Sequence, residues 1–340
     1  MNRTGLLVRA IVPLTADLIV DASAAGSRLA MITAHGAGQL VMPCLGAEDF
    51  GPLAAPEGFA RVSHDWGTWT SRSGSTGQLA VPTVGFELTL ESAALTFPVN
   101  ELGNAYARGL DPVEEDLLQW LRHLQEWGQI LARQSLSPLE PSPKTLSAAS
   151  SGLILWVETS GRASWPGTSQ LAVDVVVETA ISPLSERVAD TATLTRMAAY
   201  ANNPNMSPPP AVNLLAAARR AAQRGQWRLA LMELGTALEA VLTSVLQPTA
   251  RGFETLGPMT SRAIREGIAL PADIDTAFVK PRNAAVHHGA TPSVATVIQA
   301  LDLLDALIAT YHADYAADPS LPLAHRVQRH DLHIVRPPGP

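Results

Sequence analysis

The stretch NNPNMSPPP, residues 202–210, holds four prolines and three asparagines in nine positions. Proline has no backbone N–H to donate and asparagine favours turns, so no regular element is expected to run through it. The sequence changes character there. Working outward, the chain divides into residues 1–201, a linker at 202–210, a helical unit at 211–316 and a tail at 317–340.

Upstream the signals are those of strands. VGFELTLE (84–91) alternates apolar and polar residues, while LILWVETS (153–160) and LAVDVVVET (171–179) are rich in β-branched and aromatic side chains. The last two, with GRASWPGTSQ between them, read as a hairpin with a long loop. SLSPLEPSPKTLS (135–147) reads as a loop in its own right. One helix is expected over 112–134, capped by Asp111, with Pro112 in its first position and three acids in its first turn, all suited to the positive end of a helix dipole. A second is expected over 185–201. The first part is therefore expected to be α+β, a mixed or antiparallel sheet with one or two helices.

Downstream, apolar residues recur at spacings of three and four. Helices are expected over 211–224 and 226–246, separated by Gly225, over 258–267 and 271–279, and over 293–315, where Asp302 and Asp305 fall among apolar residues. This part is expected to be an all-α bundle. AAQRGQWRLALMELGTALEAVL (221–242) also looks like one tetratricopeptide hairpin, but such repeats stack at a period of about 34 residues and the sequence contains no second copy.

Composition narrows the functional classes. With 340 residues, 46% hydrophobic and 16% charged, the chain has apolar mass for real cores. Cys44 is the single cysteine, which excludes an internal disulfide and a thiolate zinc site and suits a reducing cytoplasm. The opening residues are interrupted by Arg9, Pro13 and Asp17, and about 18 consecutive apolar residues occur nowhere, so neither secretion nor a membrane span is expected. Net charge is −7, with 12 basic and 20 acidic residues over 1–210 but 12 and 11 over 211–340. An acidic first part repels a phosphate backbone over a Debye length of about 8–10 Å, so any RNA contact belongs to the second part.

Other motifs are missing or bland. The sequence has no GxxxxGK[ST], no GxGxxG after a strand and no GxSxG, which removes support for nucleotide hydrolysis, dinucleotide binding and esterase chemistry. Six of the seven tryptophans precede the linker, a pattern read as core and sheet packing. His325, His330 and His333 have no cysteine or carboxylate cluster beside them, so neither a metal nor a cofactor is expected.

The informative string is PRNAAVHHG, residues 281–289, in which four residues separate Arg282 from His287 and Asn283 follows the arginine. It resembles the Arg-x(4–6)-His signature of the HEPN superfamily, whose common form has a polar residue straight after the arginine. LALMELGTALEAVLTSVL (229–246) looks like that family's earlier amphipathic helix, and the resemblance covers residues 211–315. It implies a HEPN-like helical bundle acting as a metal-independent endoribonuclease on RNA, in the manner of a toxin or antiviral (abortive-infection) effector. The same resemblance implies a homodimer through the C-terminal unit, with both motifs lining one cleft. The first part would then sense a trigger ligand or partner protein.

Chemistry gives each residue a role under that resemblance. His287 takes the proton of a 2′-hydroxyl, Arg282 holds the phosphoryl oxygens through two parallel hydrogen bonds, and Asn283 orients the phosphate or the imidazole. His288 is the alternative to His287, and Glu233 or Glu239 on the earlier helix is expected to buttress Arg282. Five residues at 100° put His287 about 140° around a helix from Arg282, so the two would not face one side of a single regular helix. The alternative function is a non-catalytic HEPN-like binding or dimerisation module, marked by a buried Arg282 paired to Glu239.

Overall fold

The structure, a computed structural model, describes residues 6–46, 51–60, 65–70, 77–90, 105–134, 154–159, 162–164, 186–203, 205–246 and 254–324. LLVRAIVPLTADLIVD forms the 16-residue strand β1 (Leu6–Asp21), antiparallel to a strand of 13 residues, QLAVPTVGFELTL (Gln78–Leu90). Their ladder breaks between Pro13 and Leu18, opposite Pro82. Neither proline has the N–H a ladder needs, so the extra residues bulge there and the end of β1 bends away.

The sheet grows on both sides of this pair. The strands in chain order are β1, β2 (Arg28–Thr33), β3 (Gly36–Val41), β4 (Gly51–Pro52), β5 (Thr68–Thr70), β6 (Gln78–Leu90), β7 (Ile154–Thr159) and β8 (Arg162–Ser164). Their order in the sheet is β2-β3-β6-β1-β7-β8, with β4 and β5 paired off β6, and every ladder among the described residues is antiparallel. The strands expected at 84–91 and 153–160 are thus present, whereas 135–147 and 171–179 lie outside the described residues. A Cβ on Gly36 or Gly38 would stand 2.3 Å from a carbonyl oxygen of β6, so only glycine lets β3 approach that closely.

Two helices cover one face of the sheet. Val84, Phe86 and Leu88 are buried there with Leu40, Leu29 and Met31, and Trp120 of α1 (Ala105–Leu131) meets Phe86 edge-on at 6.0 Å. On the other face Phe59 closes over Gly85, and Arg9 lies 5.6 Å above the Phe59 ring while its Nε donates to Glu87 Oε1 at 2.8 Å. The hairpin turn between β2 and β3 is clasped to α1 by His35, whose Nδ1 stands 2.5 Å from Asp116 Oδ2.

Both helix starts differ from expectation. α1 begins at Ala105, so Asp111 and Pro112 lie inside it; the preceding AYARGL includes strong helix formers that extend it past the proline. It ends at Leu131 because Arg133 takes φ +57 and Gln134 N–H bonds back to Gly128 O at 3.2 Å, a left-handed termination usually given to glycine. α2 (Thr191–Ala201) begins six residues after Ser185, where the Asp190 carboxylate accepts from Thr193 N at 2.7 Å. The residues ahead of it run alongside the bent end of β1 instead, with Ala189 N–H donating to Ile19 O at 3.1 Å.

Two side-chain amides stand in for missing strands. Asn202, first residue of the proline-rich stretch, accepts from Ile32 N at 2.8 Å and donates to Ala30 O at 2.9 Å, closing the edge of β2. Fully buried Gln134 likewise accepts from Ile19 N at 2.7 Å and donates to Ile19 O at 2.6 Å.

The rest is helical: α3 (Pro210–Gln223), α4 (Trp227–Val245), α5 (Leu256–Arg265), α6 (Lys280–His287) and α7 (Val294–Tyr311). The α3–α4 turn rests on Gly225 at φ +71. In place of the helix expected over 271–279 there is a turn and a π-helical segment, Asp275–Val279, that leads straight into α6. Ala277, Phe278 and Val279 in this segment are all buried in the core. The last long helix ends at Tyr311, followed by a 3-10 turn, Ala313–Tyr315.

One apolar cluster runs from β1 to α7. Trp127 of α1 sits at its waist, 4.5 Å from the Tyr200 ring of α2 and stacked 6.1 Å from Tyr315. The chain also returns to the sheet side, where Val188 N–H bonds Pro322 O at 2.9 Å and Ala324 N–H bonds Glu186 O at 2.9 Å. α7 is the one described helix long and apolar enough to cross a membrane, with a mean hydropathy of 1.5, yet Val297, Leu301, Leu304 and Ile308 are buried in the bundle.

On α7, burial and the nearby Asp305 carboxylate hold Asp302 above the usual carboxylate range, against the pull of Arg133 and Arg219. A raised folded-state value means that the folded protein binds this proton more tightly, so its contribution falls as pH rises from about 4 through the raised value. Asp302→Asn is therefore expected to raise the melting temperature at pH 7 and to change little below pH 4. Calorimetry at the two pH values checks the sign.

Candidate functional site

α6 continues the π-helical segment before it. Pro281 sits in its first turn, and Gly289 at φ +66 ends it, with His288 and Ala290 N–H groups both returning to Ala284 O at 3.0 and 3.2 Å. Between these stops lie Arg282, Asn283 and His287 on one regular helix. Arg282 and the histidines therefore diverge as the 100° rotation requires, and no hydrogen bond joins Arg282 to His287 or His288.

Arg282 turns toward α4. Its stem lies across Gly235, where a Cβ would stand 2.8 Å from Cγ and 2.8 Å from Nε. One turn further along α4, Glu239 Oε1 accepts from Arg282 NH2 at 3.2 Å, and Asn283 Oδ1 accepts from NH1 at 3.1 Å. Nε is buried without an acceptor. With two bonds on five N–H donors, the guanidinium is held but not filled. Arg282 and Glu239 side chains are 18% and 23% exposed, so the pair is shielded without being sealed.

The other residues fall outside this contact. His287 and His288 are exposed at the far end of α6. Glu233 lies within electrostatic reach of Arg220 on α3, and the carboxylate bonded to Arg282 is that of Glu239. Among the described residues no three His, Cys, Asp or Glu side chains gather in a way that would hold a metal ion.

One participant escaped the sequence reading. Arg228, exposed in the first turn of α4, donates from Nε to Ala285 O of α6 at 2.9 Å. Arg228, Gly235 and Glu239 stand at i, i+7 and i+11, within about 20° of one line along a helix. That spacing marks the stripe of α4 facing α6. Its order, with Arg228 at the C-terminal end of α6 and Glu239 at Arg282, makes the two helices antiparallel.

No family model, no curated protein and no solved structure matches this chain.

Proposed function

We propose that the protein is a metal-independent endoribonuclease with a HEPN-like helical unit, in which Arg282 and His287 act on one phosphodiester. The observation that carries this reading is the seating of Arg282: an arginine laid over a glycine and tethered by Glu239 and Asn283, with donors left over, on the same eight-residue helix that presents His287. His287 takes the proton from the 2′-hydroxyl, O2′ bonds to phosphorus, and the bond to the 5′-oxygen breaks. That oxygen takes a proton from solvent. The products are a 2′,3′-cyclic phosphate and a 5′-hydroxyl end. Charge built on the phosphoryl oxygens falls to Arg282, always protonated and planar.

Because the two residues diverge on one helix, the reading includes a homodimer in which the Arg282 of one protomer works beside the His287 of its partner. It also includes a cytoplasmic location, in keeping with the free thiol of Cys44, and a toxin or antiviral role with the sheet-bearing part as sensor. A second reading, the non-catalytic binding module, is favoured by the Arg282–Glu239 pair itself, since a carboxylate already occupies the anion-binding group.

The test is incubation of purified protein with total RNA in EDTA, followed by mapping of the ends. Cleavage leaving cyclic phosphates supports the nuclease, and its absence at every protein concentration and with every candidate trigger supports the module. Gly235→Ala adds a positional check. The new methyl would displace a flexible side chain and not backbone, while alanine gains roughly 1 kcal/mol of helix propensity over glycine. The variant is expected to keep its unfolding free energy within about 1 kcal/mol of wild type and to lose cleavage by an order of magnitude or more.

A further inference from the structure

Arg228 is held differently from the other arginines around α6. Its Nε is committed to the Ala285 carbonyl at 2.9 Å, so the inner side of the guanidinium is fixed to the α6 backbone, while the outer NH1 and NH2 pair meets no acceptor among the described residues and Arg228 is exposed. The contrast with Arg282 is one of access. Arg282 has Nε buried and its two terminal nitrogens on Glu239 and Asn283, whereas Arg228 offers its whole terminal fork to solvent.

Placement gives that fork a use. Ala285 lies three residues after Arg282 and two before His287, so Arg228 is anchored about one helical turn, roughly 5 Å, along α6 from Arg282 and toward the exposed histidines. The carbonyl end of a helix carries partial negative charge that repels phosphate, and Arg228 is bonded to one of those carbonyls and offsets it. A guanidinium already tethered through Nε loses less freedom on meeting a second group, and its terminal pair matches two oxygens of one phosphate.

We propose that Arg228 is a positioning residue that holds an RNA backbone phosphate next to the one acted on, so that the strand runs along α6 from Arg282 past His287. This rests on the ribonuclease reading for its substrate, but its prediction concerns binding and is measured separately from cleavage. The probe is a fluorescein-labelled single-stranded RNA of mixed sequence, titrated by polarisation against wild type, Arg228→Ala and Arg228→Lys over a range of salt, with cleavage kinetics in parallel.

For Arg228→Ala the affinity is expected to fall roughly fivefold at 0.1 M salt, and the slope of log K against log salt to shrink by about 0.7, the share of one phosphate on a single strand. KM rises by the same factor with kcat unchanged. Arg228→Lys restores the slope but not the full affinity, because an ammonium keeps the charge without the two-pronged fork. An unchanged slope in Arg228→Ala, or RNA that wild type does not bind, overturns the proposal. RNA bound with the expected slope change but never cut leaves Arg228 as an RNA contact and removes the nuclease reading alone.

Discussion

Asp305→Ala is expected to cost about 3–5 kcal/mol of folding stability, the range seen when one partner of a buried ion pair is removed. Asp305 on α7 accepts from two arginines at once: Arg133, from the end of α1, at 3.1 Å, and Arg219 of α3 through its other oxygen. Their side chains are 13% and 7% exposed and that of Asp305 is 17%, so the three groups are largely shielded from water. Burial and the neighbouring Arg219 charge push Arg133 below the ordinary guanidinium range, against the pull of Asp305. Removing the carboxylate takes away the anion bonded to both cations and leaves Asp302, one turn away on α7, to oppose them. Against a total of about 5–15 kcal/mol for a typical domain, that loss lowers the denaturant midpoint steeply. Urea melts by circular dichroism check it, and Arg133→Met with Arg219→Met in the Asp305→Leu background is expected to recover much of the loss. A change under about 1 kcal/mol in Asp305→Ala would mean that the arginines find other partners.

The same cluster shows where sequence reasoning stops. Asp302 and Asp305 were visible as acids in an apolar helix, but their partners lie 86 and 172 residues upstream of Asp305 and follow no spacing rule. Periodicity located α3, α4 and α7 closely, because each has a single buried stripe. It missed β1, whose two halves flank a proline bulge and whose residues are buried on both faces, so the strand does not alternate. It also missed β3, since GAGQLV reads as a loop until β6 is placed against its glycines. In α1 and α2, favourable cap chemistry existed at more than one position, and long-range pairing of Ala189 with β1, of Arg187 with Ala132 and of Glu186 and Val188 with residues 322–324 chose the later start for α2. At the site, the 140° divergence of Arg282 and His287 was legible from the helix angle alone. Glu239 and Glu233 were not separable until Gly235 showed which face of α4 receives the arginine, since Glu239 is 40° from it and Glu233 about 160°.

His287→Ala is expected to lower single-turnover RNA cleavage by about 10²–10⁴, the usual share of a positioned proton acceptor. Arg282→Ala is expected to lower it by about 10²–10³, the usual cost of one oxyanion donor. Neither should alter folding much, because His287 is exposed and Arg282, whose stem crosses Gly235, makes one hydrogen bond across the helix pair, to Glu239. The two variants also test assembly. If each active centre takes Arg282 from one protomer and His287 from the other, mixing the two inactive proteins regenerates centres with both residues intact, and activity returns toward a quarter of wild type at equal mixing of freely exchanging subunits. A centre complete within one chain would recover nothing, because every chain then lacks one of the two residues. His288→Ala serves as the control for the neighbouring ring: full activity there assigns the proton to His287, and loss there with His287→Ala unaffected transfers it to the next residue. Equal cutting by every variant would place the activity outside α6, and cleavage by none, wild type included, would leave Glu239 as the permanent occupant of Arg282 and the helix pair as a binding module.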